Sequence, residues 1–400
     1  MENMQLEETA ASVEQTAAGT EKKKSVLSRF QGVICLAVVF GIFYYLGQVM
    51  GMANMLNTLM HTAHDLLINT VFYLMGICVL TGAIGRIFVE FGVVSLLEKI
   101  LRPLMKPLFN LPGVASLGAV MTFLSDNPAI ISLASDKRFS SYFKKFQFIS
   151  LTNFGTAFGM GLLVMVFMVG QGFFWQPLVG FFGAFCGCIV STRLMQYFVI
   201  KNYPAYREEN VVAEKAAIAK EEEKREKSLF IRVLNSLLDG GRTGVDVGIA
   251  IIPGVLIIST LVMVLTFGPS QGGEYTGAAY EGVQLLPMLA DKLSFLLTPL
   301  FGFSSPEAIG VPITALGAAG AATSMTAQLI HAGQANAGDV AVFTAMCMCW
   351  SGYLSTHVSM MNSLKCNELI SKAIISHTIG GLCAGISAHW LFVLFSMFAG

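Results

Sequence analysis

The chain has 400 residues, 54% hydrophobic and only 12% charged, with 25 Lys and Arg balancing 25 Asp and Glu. Soluble domains carry about 25% charged residues, so this composition excludes an ordinary water-soluble globule. With no net charge there is no chain-wide basic surface, and no nucleic-acid partner is expected.

Residues 1–29 are polar, end near Lys22-Lys23-Lys24 and lack the apolar core of a signal peptide. They are expected to form a disordered cytoplasmic tail. Residues 30–65 read as a first transmembrane helix, 31–52, and an external loop. A second span covers 66–91 and carries Arg86. Residues 92–110 mix apolar side chains with Glu98, Lys99, Arg102 and Lys106 and contain Pro103 and Pro107, a pattern that fits a helix lying in the membrane interface.

Segment 111–135, LPGVASLGAVMTFLSDNPAIISLAS, is apolar enough for a membrane interior but is interrupted by Ser125-Asp126-Asn127-Pro128. Proline removes a backbone donor, and a carboxylate is costly in hydrocarbon. The pattern predicts two half-helices that meet at a polar tip inside protein, a re-entrant hairpin. A basic loop with Lys137, Arg138, Lys144 and Lys145 follows.

The third span, 146–170, is polar and glycine-bearing between Ser150 and Gly159, which predicts local unwinding. The fourth covers 173–200. Residues 201–242 form a charged linker whose core, AEKAAIAKEEEKREK, reads as a solvated connector. A fifth span, 243–267, is interrupted by Pro253-Gly254, and a Gly-rich loop leads to a second interfacial segment, 285–303. A second broken segment, 306–331, has the small, uncharged tip GAAGAATSMT. The remaining spans are 340–362, with a polar patch from Ser351 to Ser359, and 370–398. The Cys186/Cys188 and Cys347/Cys349 pairs lack zinc spacing and read as small packing residues.

The expected fold is therefore an all-α polytopic membrane protein with two re-entrant hairpins and about seven full transmembrane helices. With the N-terminus in the cytoplasm and each hairpin returning to its own side, every Lys and Arg except Lys292 falls on the cytoplasmic side. The C-terminus is then external. Aligning the two broken segments matches Pro107 with Pro299, Phe109 with Phe301, Gly118 with Gly310, Thr122 with Thr314 and Ala129 with Ala321. Each half runs span, interfacial helix, hairpin, unwound span, span. The halves, 66–200 and 243–400, face opposite sides, which predicts an inverted repeat of the kind built into secondary transporters.

LRPLMKPLFNLPGVASLG and LTPLFGFSSPEAIGVPITALGAAGA resemble the nucleoside-recognition, or Gate, domain. That domain is shared by spore maturation proteins A and B, the membrane part of ferrous-iron transporter B and the concentrative nucleoside transporters. The resemblance covers two Gate-like halves over about residues 66–398. It implies that two opposed hairpins and two unwound helices enclose a solute, with a cation near the first hairpin. By position, tip 125–128 pairs with an unwound segment at 152–156, and tip 317–326 with one at 351–362. The acidic residues that those transporters use on ribose and base have no clear counterpart here. The expected solute is small and polar, nucleoside-like or other, at the bacterial cytoplasmic (inner) membrane, and coupled to Na+ or H+. The resemblance also allows a non-transporting scaffold of the spore maturation type, or an ion or metal permeation unit. A homo-oligomer is compatible with either.

The candidate binding residues are Ser125, Asp126, Asn127, Thr152, Asn153, Thr156, Thr323, Ser324, Thr326, Ser351, Ser355, Thr356 and His357. Asp126 either holds a cation, proton or polar solute or caps the half-helix that starts at Pro128. Thr152, Asn153 and Thr156 offer amide and hydroxyl ligands, or serve as interhelical hydrogen-bond glue. Thr323, Ser324 and Thr326 follow glycines, which suits either exposed backbone amides or tight packing. His357 either titrates near neutral pH or forms a fixed hydrogen bond. No catalytic residue, metal site or resident cofactor is expected: the chain has no Walker loop, HExxH or Gly-x-Ser-x-Gly.

Overall fold

A computed structural model describes residues 30–135, 137–211, 228–270 and 273–399. The tail at 1–29 and the charged core of the linker lie outside the described residues. Contacts divide the chain into two compact units at Met55. In the first, α1 (Gln31–Met50) buries only Leu46, Gly47 and Met50. An apolar helix this exposed has lipid as its solvent.

The second unit begins at Leu56, within α2 (Met52–Asp65), which continues through one wide π turn, Leu66–Val71, into α3 (Phe72–Glu90). The segment expected as an external loop is thus the start of one 39-residue helical run, Met52–Glu90. At about 1.5 Å per residue this run is nearly twice the ~30 Å hydrocarbon thickness. Next come α4 (Val93–Leu104) with a π turn at Met105–Phe109, then the hairpin helices α5 (Ala115–Leu124) and α6 (Pro128–Ser135), and the short α7 (Lys137–Ser140). The broken span is α8 (Lys145–Thr156) and α9 (Gly161–Gly170), followed by α10 (Gln176–Asn202).

The second half holds α11 (Leu229–Ala250), a π turn at Gly254–Ser259 and α12 (Thr260–Thr266), then α13 (Leu285–Lys292) and α14 (Ser294–Phe301). The second hairpin is α15 (Gly310–Gly317) and α16 (Ala319–His331). The second broken span is α17 (Ala337–Cys349) and α18 (Tyr353–Ser363), and α19 (Ile370–Ala399) closes the chain. Among the described residues, 6 helical runs are long and apolar enough to cross a membrane. The seventh expected span, 340–362, is present as α17 and α18, each too short to cross alone.

The fifth span starts at Leu229 rather than at residue 243, because the stretch with Asp239, Arg242 and Asp246 is helical, not linker. What permits this is a glycine ladder on its other face. A methyl on Gly240 would stand 2.4 Å from the Gly82 carbonyl oxygen, and one on Gly244 2.3 Å from that of Cys78. Helices α3 and α11 therefore cross backbone to backbone, the small-xxx-small contact of membrane interiors. The Arg232 Nε–Glu90 Oε1 pair, at 2.8 Å, pins the ends together.

Three pairs of left-handed backbone positions mark the repeat: Gly92 and Gln284, Asn110 and Gly302, Met160 and Gly352. The same interval separates Pro107 from Pro299. Each half also ties its interfacial helix to its broken span through one side chain in the first turn of that span. Gln147 Nε2 donates to the Asn110 carbonyl at 2.7 Å, and the Ser304 N–H donates to Asp339 Oδ1 at 3.0 Å.

Helices α10, α17 and α19 pack into one block. Gly183 and Gly187 of α10 face the Ala384 and Gly380 carbonyls of α19 so closely that a methyl would overlap them. Cys188, Cys347 and Cys349 are buried here as free thiols, filling small spaces as expected. The charged linker begins by folding back: Lys144 pairs with Glu208 at 2.9 Å, Lys145 pairs with Glu209, and Lys144 and Asn210 form an isolated antiparallel bridge.

Candidate functional site

The first hairpin seats on the first broken span through three side chains, each resting over one glycine. Phe123 covers Gly161, Asn127 covers Gly159 and Ile130 covers Gly155. A methyl on these glycines would lie 2.2, 2.1 and 2.6 Å from the respective neighbour. This run of notches explains why the span is polar and glycine-bearing: it is shaped to receive the hairpin. The helix itself stays regular to Thr156, and the break falls at residues 157–160, ending in the left-handed Met160.

Asn127 joins the two halves at their breaks. It is 3% exposed, and its Nδ2 donates to the carbonyl of Ser351 in the break between α17 and α18. That assigns its Oδ1 as an acceptor, and this buried Oδ1 has no protein partner. The next residue, Gly352, donates its N–H to the Ala315 carbonyl at 3.4 Å and lies against the Gly317 carbonyl. Ser351-Gly352 therefore touches the tip of the first hairpin on one side and the end of α15 on the other. The two hairpins meet through this break. On the face of the first tip turned towards α3 and α11, a cavity of about 30 Å³ is lined by Thr81, Leu124, Ser125 and Thr243, room for about one water.

Behind the breaks lies a buried polar relay. Asn153 Nδ2 donates to Ser191 Oγ at 3.1 Å and to the Ala373 carbonyl at 2.9 Å. His377 places Nδ1 2.9 Å from Ser191 Oγ and Nε2 2.5 Å from the Cys349 carbonyl. A carbonyl only accepts, so Nε2 carries the proton and Nδ1 accepts from Ser191. The His357 ring lies 4.6 Å from that of His377, tilted by 47°. Its Nδ1 donates to the Tyr353 carbonyl at 2.8 Å, which leaves Nε2 as a bare lone pair. Asn153 Oδ1, Thr152 Oγ1 and His357 Nε2 are all buried without a protein partner. Burying a polar group unpaired costs about 1–3 kcal/mol, so each of these atoms is a place where a donor or a cation could be received.

The expected residues divide accordingly. Asn127, Ser351, Thr152, Asn153 and His357 belong to the breaks or the relay. Ser125 bonds its own helix through the Met121 carbonyl at 2.7 Å, as Thr156 does through the Thr152 carbonyl at 2.6 Å. Asp126 Oδ1 accepts from the Asn127 N–H at 2.7 Å, a cap-like bond at the start of α6. Thr356 donates to the Gly352 carbonyl at 3.5 Å, and Ser355 lies in the first turn of α18. Thr323, Ser324 and Thr326 belong to the second hairpin. The second tip is confined to Ala318, α16 resumes at Ala319, and their hydroxyls donate to the Gly320, Ala321 and Ala322 carbonyls within that helix. Glycine and alanine here serve close packing, and no exposed backbone amide results.

Residues that the sequence did not single out are Ser191 and Glu281; His377 gives only a weak signal, because Ser191 and His377 both sit in long apolar helices. Glu281 is 2% exposed in the loop before α13. It accepts from Thr276 N at 3.0 Å, Thr276 Oγ1 at 2.8 Å, Gly277 N at 2.9 Å and Thr58 Oγ1 at 3.3 Å, as well as from Ser270. Burial alone would raise its carboxyl, but the bonds from Ser270, Thr276 and Gly277 outweigh that and lower it from 4.5 to about 2.

The family profile described as "Gate: Nucleoside recognition" matches residues 71–172, from α3 through α9. No curated protein sequence matches the chain significantly. Two solved structures share its fold. CNTnw in an inward-facing substrate-bound state aligns at a TM-score of 0.53 and 13% identity, over 92% of this chain and 87% of that one. A doubly substituted CNTnw in an outward-facing state aligns at 0.50 and 13%, over 96% and 90%. CNT denotes the concentrative nucleoside transporters. The chain is a multi-pass membrane protein with this transporter fold, and its sequence likeness to the Gate family is confined to the first half.

Proposed function

We propose that this protein is a secondary transporter for a small, polar, uncharged solute of the nucleoside class, driven by a Na+ or H+ gradient across the cytoplasmic membrane. The observation that carries the reading is the junction of Asn127 with Ser351. One polar side chain from a membrane hairpin bonds the broken backbone of the opposite half while its own buried Oδ1 is left without a protein partner. Amide oxygens, a hydroxyl and a neutral imidazole suit the O–H and N–H donors of a sugar or base, or a dehydrated monovalent cation. They offer no full charge to an ionic solute. The Gate likeness and the CNTnw fold support the same reading. The inward-facing and outward-facing states named for CNTnw supply the pattern of motion we propose, with hairpins shifting against the α3–α11 crossing.

In this reading the N-terminus lies in the cytoplasm and the C-terminus outside. Asp126, beside Asn127 at the tip, is the proposed coupling carboxylate. The test is uptake of radiolabelled uridine and adenosine into proteoliposomes of the purified full chain, with Na+ and pH gradients imposed separately. Uptake dependent on one gradient is the expected result. No accumulation of any nucleoside or other small polar solute under either gradient would overturn the proposal.

A further inference from the structure

A second recess lies away from the polar junction. Between α4 and the first hairpin, a groove of about 510 Å³ is lined only by apolar residues. Leu97, Leu101 and Leu104 line it along one face of α4, at the spacing that keeps side chains in a row. Val120 and Phe123 of α5 form the opposite wall, and Phe181 of α10 lies at the back. No group in it could bind a polar solute, so it is not a branch of the transport site. Its shape suits hydrocarbon, held between an interfacial helix and the hairpin that carries Asn127.

The charge at its rim selects the head of that hydrocarbon. Lys106 is exposed in the π turn between the groove residues Met105 and Leu108, and it has no ion pair among the described residues. Beside it, Arg193 donates Nε to the Leu108 carbonyl at 2.8 Å and an Nη to the Pro107 carbonyl at 2.7 Å. These bonds hold a guanidinium at the end of the groove. Two cations at the mouth of a purely apolar slot complement an amphiphile with a negative head and a linear tail.

We propose that the groove is a binding site for one anionic phospholipid, an acyl chain lying between α4 and α5 and its phosphate meeting Lys106 and Arg193. The bound chain fills the space across which the interfacial helix and the hairpin face each other, so the site makes the hairpin's support depend on lipid.

Native mass spectrometry of the full chain in detergent tests this, with phosphatidylglycerol and phosphatidylcholine of identical acyl chains as probes. Phosphatidylglycerol should be retained preferentially, in a ratio of one lipid per chain. Lys106→Gln should weaken its binding about fivefold, the effect of one surface cation on an anionic lipid. Leu104→Trp places bulk in the groove from a part-exposed position on α4 and should displace both lipids, with the melting temperature in lipid-free detergent unchanged. Equal retention of the two lipids with no effect of Lys106→Gln would overturn the charged head. Undiminished binding to Leu104→Trp would overturn the groove. A dimer that Leu104→Trp dissociates would assign the face to a second copy of the chain and likewise overturn the proposal.

Discussion

The Asn127 carboxamide hydrogen-bonds the carbonyl of Ser351, so the tip of one half of the repeat completes the broken backbone of the other. Gly159 lies against the Oδ1 of the same carboxamide, with Ser351 beside it. A broken helix exposes carbonyls that must be satisfied in a low-dielectric interior. Here a hairpin tip satisfies one of them, and the proposed movement of the tip would uncover it.

Gly159→Ala should therefore disable the site more than it harms the fold. The added methyl would lie 2.1 Å from Asn127 Oδ1, and overpacking of this kind costs about 1–3 kcal/mol. The expected result is a protein that inserts and purifies with a modestly lower melting temperature but has lost solute uptake. Wild-type uptake would refute the role of the Asn127 seat.

Asp126→Asn separates charge from capping. Asparagine keeps an oxygen for the Asn127 N–H, now bonded at 2.7 Å, so melting should be unchanged. Losing the charge should lower gradient-driven uptake roughly tenfold or more, the scale of a charge-assisted contact. Uptake with unaltered cation dependence would leave the cap as the whole function of this residue.

Glu281→Gln should loosen the loop before α13 in a pH-dependent way. The folded carboxyl is lowered to about 2 from 4.5, so its stabilising contribution is full above about 4.5. It is lost as pH falls from there through 2. The melting temperature of Glu281→Gln should thus fall short of wild type at pH 6, and the gap should close as pH is lowered towards 2. A gap that widened at low pH would contradict the hydrogen-bonded carboxylate.

Gly244→Val tests the crossing of α3 and α11. A side chain there meets the Cys78 carbonyl oxygen at 2.3 Å, backbone that cannot swing aside. We expect a loss of about 1–3 kcal/mol, read as a lower melting temperature in detergent, whereas Val245→Ala on the exposed face should be neutral.

Orientation is open to labelling with a membrane-impermeant maleimide in a Cys35→Ser background. Glu274→Cys in the loop before α13 should react from outside intact cells, and Lys201→Cys at the end of α10 only after permeabilisation. Reaction of both from one side would contradict the inverted arrangement.

Much of this architecture was legible in the residues. Pro128 beside Asp126 leaves a membrane segment few alternatives to a hairpin, and the pairing of Pro107 with Pro299 carries the true register of the repeat. What escaped notice shares a physical cause. Gly240, Gly244 and Gly248 sit among Asp239, Arg242 and Asp246, and charge on one helix face concealed a packing ladder on the other. Thr323, Ser324 and Thr326 left exposed backbone amides and tight packing equally open, because hydroxyls in apolar helices can return their protons to the preceding turn and carry no outward signal. Ser191 and His377 become a site only when α10 and α19 lie together, which no local pattern announces.

The matched left-handed positions, Gly92 with Gln284, Asn110 with Gly302 and Met160 with Gly352, bear on what changes the chain can accept. The paired residues differ in type, yet their spacing agrees to the residue. A single insertion inside one half would turn every later position of that helix by about 100° and advance it by about 1.5 Å. Phe123, Asn127 and Ile130 could then no longer all meet their glycines. Substitution leaves that phase intact. The two halves form a device whose specification is written in lengths more than in letters, so it would survive extensive replacement of side chains but not one added or deleted residue between Gly92 and Met160.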